Sequence, residues 1–169
     1  VRLESQLDGG GQENGIRSGT SNVPGIVGLG TAVELAGAEL ATEPARQRRL
    51  RNRLFEGLRN SIDGVSINGP HLSLEELRLG GNLNCSFAWV DGEALMMSMR
   101  DVAVSSGSAC TSANPEPSHV LQALGLPDDD VRCSLRFGIG RFNTAEEIDF
   151  AVPTIAQAVG KLRGLSSMA

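Results

Sequence analysis

Two hydrophobic periods divide this chain. Between residues 43 and 62, Leu50, Leu54, Phe55, Leu58 and Ile62 recur at three- and four-residue steps, which gathers them on one stripe of a helix. The same spacing returns near the end, where Ile148, Val152, Ile155, Val159 and Leu162 predict a last helix. Thr144-Ala145-Glu146-Glu147 reads as its capping box, and Pro153 is expected to bend it. Between these helices the period shortens to two. Leu83, Cys85, Phe87 and Trp89 fall on one face of a strand predicted over 82–90. Over 131–139 the odd positions are apolar or Cys, while Arg132, Ser134 and Arg136 share the opposite face.

Shorter elements fill the gaps. Residues 65–67 and 102–104 read as brief strands, and Asn68-Gly69-Pro70-His71 as a turn. Asp91-Gly92 breaks the chain before a short helix over 93–100 with Leu95, Met96 and Met99 facing inward. Pro117-Ser118 opens a further helix with Val120, Leu121 and Leu124, closed by Gly125. Upstream, Asn22 caps and Pro24 enters a helix running through Ile26, Leu29, Val33 and Leu35. Together these elements predict an α/β fold, with a small, mainly antiparallel sheet of about three or four strands covered by helices on one face.

The glycine-rich stretch 8–20 precedes that first helix. It reads either as a flexible connection or as an anion cradle. Arg17, Ser18 and Thr20 add a cation and two hydroxyls to exposed backbone amides, a combination that suits phosphate.

Composition narrows the function classes. A net charge of -5 over 169 residues argues against a general nucleic-acid binder, and the arginines from Arg46 to Arg53 fall on a helical pattern with no interleaved aromatics. Three cysteines without a CxxC pair and two distant histidines give no metal-ligand spacing. The odd cysteine count suits a reducing compartment, so a cytoplasmic location is expected. No apolar run is long enough to span a membrane, and no signal peptide is read at Val1-Arg2-Leu3. A single lysine, Lys161, stands among fifteen Lys and Arg side chains, so lysine chemistry must use it or come from elsewhere.

Candidate chemistry centres on Cys110. It lies in Ser105-Ser106-Gly107-Ser108-Ala109-Cys110-Thr111-Ser112, without the period of a buried strand, and the small and hydroxyl neighbours suit a displayed, reactive thiol. Cys85 and Cys133, by contrast, alternate with large apolar residues and read as core. Arg136 is either a surface residue with its stem packed down or a carboxylate clamp, since a guanidinium fork matches a carboxylate bidentately. Gly138 and Gly140 beside it leave room for a ligand. His71 reads as a surface residue, His119 as structural or supporting, and Asp128, Asp129 and Asp130 as a solvated turn.

The chain resembles the pyridoxal-phosphate-dependent cysteine desulfurases of the class with a long cysteine loop, within the class V aminotransferases. The strings carrying the resemblance are Gly9-Gly10-Gly11-Gln12-Glu13, Arg17-Ser18-Gly19-Thr20, Asn22-Val23-Pro24-Gly25-Ile26-Val27-Gly28, Asp91-Gly92-Glu93, the segment 105–112, Glu116-Pro117-Ser118 and the segment 135–142. It implies a fold-type I enzyme, with 1–38 the end of the cofactor-binding large domain and 39–169 the small C-terminal domain. It implies removal of sulfur from L-cysteine, giving L-alanine and a persulfide on Cys110. Arg136 is then the substrate-carboxylate arginine, and Thr20 reaches the cofactor phosphate of the neighbouring subunit in a homodimer. Arg17 shapes the same loop. The cofactor-bearing lysine belongs to an upstream part not in this sequence, and Lys161 lies outside every matching string, so the isolated chain is expected to be inactive. The implied partners are L-cysteine and a sulfur-acceptor protein serving iron–sulfur assembly or tRNA or DNA thiolation. Two readings stand beside this one: a cofactor-free persulfide carrier, and a partner subunit of a split desulfurase.

Overall fold

The computed structural model describes residues 2–106 and 117–166, which form two compact units, 1–41 and 42–169. In the first unit the glycine-rich stretch folds back on itself. Leu7 bridges Arg17, the Ser18 N–H donates to the Leu7 carbonyl at 3.2 Å, and a short 3-10 turn occupies Gln12–Gly15. Helix α1 (Val23–Glu39) follows, with the Asn22 side chain accepting from the Gly25 N–H and Pro24 in the first turn. No residue of α1 is buried; Ile26, Val27, Leu29 and Val33 all stand exposed.

The second unit is built on a four-stranded antiparallel sheet, as the alternating segments predict. Its elements are α2 (Glu43–Ser61), β1 (Val65–Ile67), β2 (Asn82–Phe87), α3 (Gly92–Ser98), β3 (Ser105–Ser106), α4 (His119–Ala123), α5 (Asp128–Arg132), β4 (Ser134–Gly138) and α6 (Ala145–Ser166). The strand order is β1-β2-β4-β3. Period-two alternation sorts the two faces. Leu83, Cys85, Phe87, Leu135 and Phe137 join the stripes of α2 and α6 in one core with Leu54, Leu58, Ile155 and Val159. The capping box of α6 closes reciprocally: the Thr144 N–H donates to Glu147 Oε2 at 3.1 Å, and the Glu147 N–H to Thr144 Oγ1 at 3.3 Å.

Three boundaries differ from the sequence pattern, each for a local reason. β2 ends at Phe87 because Trp89 takes a left-handed backbone (φ 64°), which turns its ring outward under the Arg163 guanidinium rather than into the core. Residues 128–132 form α5, so the three aspartates open a helix, Arg132 sits in that helix, and Cys133 is its C-cap. Three acidic residues in a first turn complement the helix dipole, and this local preference overrides the apparent alternation. β3 lies at Ser105–Ser106 rather than 102–104; its register against β4 is set by pairing with Leu135 and Arg136.

Candidate functional site

The polar face of the sheet holds Arg136, the candidate carboxylate clamp. Residues directly opposite on antiparallel strands share a face, so the register puts Asn84 of β2 and Ser105 of β3 on either side of Arg136 of β4. Arg136 is exposed while its neighbours Leu135 and Phe137 point into the core. Among the described residues no carboxylate or carbonyl pairs with its guanidinium. The alternation therefore leaves the Arg136 guanidinium exposed on the polar face. The surface-residue reading also predicts exposure. Other polar side chains on the same face are buried.

Asn68, Ser86 and Ser134 are all nearly inaccessible on this face. Asn68 Nδ2 donates to Asn84 Oδ1 at 2.7 Å and to Ser134 Oγ at 2.8 Å, and Ser86 Oγ donates to Asn68 Oδ1 at 2.9 Å. Buried polar groups cost free energy unless satisfied, and here each meets a partner. Sequence reading missed this network. The signal was present in Asn82, Asn84 and Ser86 alternating with Leu83, Cys85 and Phe87, but which of them meet is a matter of register.

The thiols separate in the same way. Cys85 is fully buried, and desolvation pushes its thiol up to about 12, leaving it protonated at neutral pH. Burial also raises Cys133. Neither suits a nucleophile, which must ionise. Cys110 lies outside the described residues, four positions beyond Ser106 at the end of β3. A cavity of about 250 Å³ opens between Leu54, Val102, Ala103, Phe137 and Phe150, and Arg136 takes no part in its walls.

In the first unit, the three candidate anion ligands divide. Arg17 Nη1 donates to the Gly19 and Thr20 carbonyls at 2.9 and 3.0 Å, and the Ser18 hydroxyl donates to the Gly10 carbonyl at 2.5 Å. Both thus brace the loop, and only the Thr20 side chain is left exposed at its end. His71 is exposed and meets Ser73 Oγ at 2.8 Å; His119 is exposed at the start of α4. Among the described residues no three His, Cys, Asp or Glu side chains converge on a metal-sized site, and no single helix is long and apolar enough to cross a membrane.

A family model, aminotransferase class-V, matches residues 4–150. That span includes both the Thr20 loop and the Arg136 strand. The chain belongs to the class-V aminotransferase family. It is 55% identical over 168 residues to a protein named cysteine desulfurase IscS from Anaeromyxobacter sp. (strain K), a match covering 99% of this chain and 41% of that protein. The chain is also similar to a solved NifS-like protein, with a TM-score of 0.80 and 32% identity over 96% of this chain and 40% of the other. A crystal structure of DndA from Streptomyces lividans gives a TM-score of 0.58 and 42% identity over 80% of this chain and 36% of its own. The chain thus spans about two fifths of the length of the relatives it matches. The chain, α/β with a small antiparallel sheet, matches a fragment of a fold-type I enzyme.

Class-V membership implies pyridoxal phosphate as cofactor. The donor set of the Thr20 loop fits one side of a phosphate site, a free hydroxyl on a loop braced from within by Arg17 and Ser18. Lys161, the chain's single lysine, is exposed on α6 in the other unit and gives no anchoring amine on that loop.

Proposed function

We propose that this chain is the sulfur-accepting portion of a pyridoxal-phosphate-dependent cysteine desulfurase. The observation that carries the reading is the Arg136 guanidinium, exposed on the polar face and without a protein acceptor among the described residues, beside the strand that precedes Cys110 in the sequence. Arg136 binds the L-cysteine carboxylate through its planar fork. Cys110 follows Ser106 by four residues in the sequence. In this reading its thiol takes the sulfur of a substrate held at Arg136 and passes it to an acceptor.

The Cys110 thiolate attacks the substrate sulfur; a sulfur–sulfur bond forms as the substrate carbon–sulfur bond breaks. The carbon keeps the electron pair and takes a proton to become the methyl group of L-alanine. Pyridoxal phosphate, when bound, supplies the electron sink that lowers the cost of that carbon charge. The outer sulfur of the Cys110 persulfide then passes to a thiol on an acceptor protein by exchange chemistry. Thr20 serves the cofactor phosphate across a homodimer, and the unburied apolar α1 is consistent with a helix that meets further protein. The reading includes a cytoplasmic location, where such a thiol stays reduced.

The test is L-alanine release from L-cysteine together with mass analysis of the peptide containing Cys110, in the protein carrying its cofactor. The expected result is one added sulfur on Cys110, and loss of both signals in Cys110→Ala with cofactor retained. Alanine formed at the wild-type rate by Cys110→Ala would sink the assignment. Sulfur loading without any visible cofactor band would favour the carrier reading instead.

A further inference from the structure

The buried network on the polar face has a direction, and its direction can be read by counting protons. Ser134 Oγ donates to the backbone carbonyl of Asp130 at 2.6 Å. A carbonyl can only accept, so the single hydroxyl proton of Ser134 is committed there. Ser134 Oγ can then only accept from its other two neighbours, Ser86 Oγ at 3.1 Å and Asn68 at 2.8 Å, so the Asn68 atom is the amide nitrogen Nδ2. Asn68 Oδ1 takes the Ser86 hydroxyl proton at 2.9 Å, in agreement with that orientation. The second Nδ2 proton of Asn68 goes to Asn84 at 2.7 Å, so the Asn84 atom facing it is the carbonyl oxygen. Asn84 thus has its acceptor occupied from inside, and its NH2 group is left as the outward end.

That NH2 group belongs to the residue directly opposite Arg136. Two donors side by side cannot satisfy one another. Among the described residues no acceptor takes the Asn84 Nδ2 protons, and none pairs with the guanidinium. An acceptor with a negative charge and two oxygens would satisfy both. Resting on the carboxylate-binding reading of Arg136, we infer that Asn84 is a second donor to the substrate carboxylate, with its amide orientation fixed by the Asp130–Ser134–Asn68 relay. Asn84 selects for a carboxylate, and Asn68 and Ser134 act as positioning residues behind it.

Asn84→Asp tests this with little change of shape. The aspartate keeps an oxygen to accept from Asn68, so the relay survives, but it presents a negative oxygen beside Arg136 where the NH2 group stood. Binding is measured as the change in visible absorption of the cofactor-loaded protein on adding L-cysteine, L-alanine or cysteamine, which is L-cysteine without its carboxylate. Asn84→Asp is expected to weaken L-cysteine and L-alanine by about a hundredfold and Asn84→Ala by about tenfold, the range for charge-assisted hydrogen bonds. Cysteamine affinity and cofactor content should stay at wild-type levels in both.

The inference is overturned if both variants bind the two amino acids as the wild type does, or if cysteamine weakens in parallel. A wild type that responds to L-alanine but never desulfurates L-cysteine would overturn the desulfurase reading while the variant comparison still decides the role of Asn84. A wild type that responds to no amino acid removes both.

Discussion

Gly81 and Gly138 stand at the same end of the β2–β4 pair, and alanine at the two positions should have opposite consequences. The Ile139 N–H donates to the Gly81 carbonyl at 2.8 Å, closing the ladder just beyond Asn82 and Gly138. A Cβ on Gly81 would overlap the Ile139 carbonyl oxygen and lie 3.1 Å from its carbon. Both are backbone atoms of a buried residue, so neither can swing aside. Relief requires the two chains to part, which loses that hydrogen bond, about 1 kcal/mol, and disturbs the packing around Ile139 by about 1–3 kcal/mol. Gly81→Ala should therefore cost about 2–4 kcal/mol. At Gly138 a Cβ meets nothing within 4 Å, so Gly138→Ala should change stability by no more than about 0.5 kcal/mol. Urea unfolding followed by far-UV circular dichroism and by Trp89 emission measures both; Trp89 is the single tryptophan and packs 5.3 Å from the Arg163 guanidinium. Equal losses in the two variants, or a Gly81→Ala loss under about 1 kcal/mol, would refute the steric argument.

Three further outcomes follow from the same structure. Iodoacetamide at neutral pH should modify Cys110 well before Cys85 or Cys133, since burial holds both of those thiols protonated; native-state labelling of Cys85 at a comparable rate, read by mass spectrometry, would contradict its burial. Thr144→Ala should cost about 1 kcal/mol by removing the side-chain acceptor for the Glu147 N–H, measured as a lowered urea midpoint with unchanged slope. Acid should destabilise the second unit. Hydrogen bonds from Arg46, Asn143 and Arg53 hold Glu43, Glu147 and Asp149 below their ordinary values. Groups depressed on folding contribute fully above the unfolded carboxylate range near pH 4–4.5 and lose that contribution as pH falls through their lower folded values. A melting temperature that stays flat from pH 6 to pH 3 would refute this.

What the sequence determined by itself was everything with a short-range cause. The stripes of α2 and α6, the Asn22 cap and the Thr144 box depend on spacings of three and four residues, and β1, β2 and most of β4 on a spacing of two. Those patterns also sorted Cys85 into the core and Arg136 out of it. The motifs around Thr20 and Arg136 identified the family because they are strings, legible without coordinates. Where local forces compete, the pattern misled: the aspartates of α5 favoured a helix start where alternation suggested a strand, and the backbone at Trp89 reversed the direction of its ring. Only the tertiary structure decided which strands adjoin. The order β1-β2-β4-β3 brings Asn84 and Ser105 to Arg136 across 52 and 31 residues of sequence (136 − 84 and 136 − 105). It also joins Asn68 to Ser134, 66 residues apart, and so fixes which end of the Asn84 amide faces out. Register is set by the summed burial of a whole strand face, so no single residue in the sequence announces it.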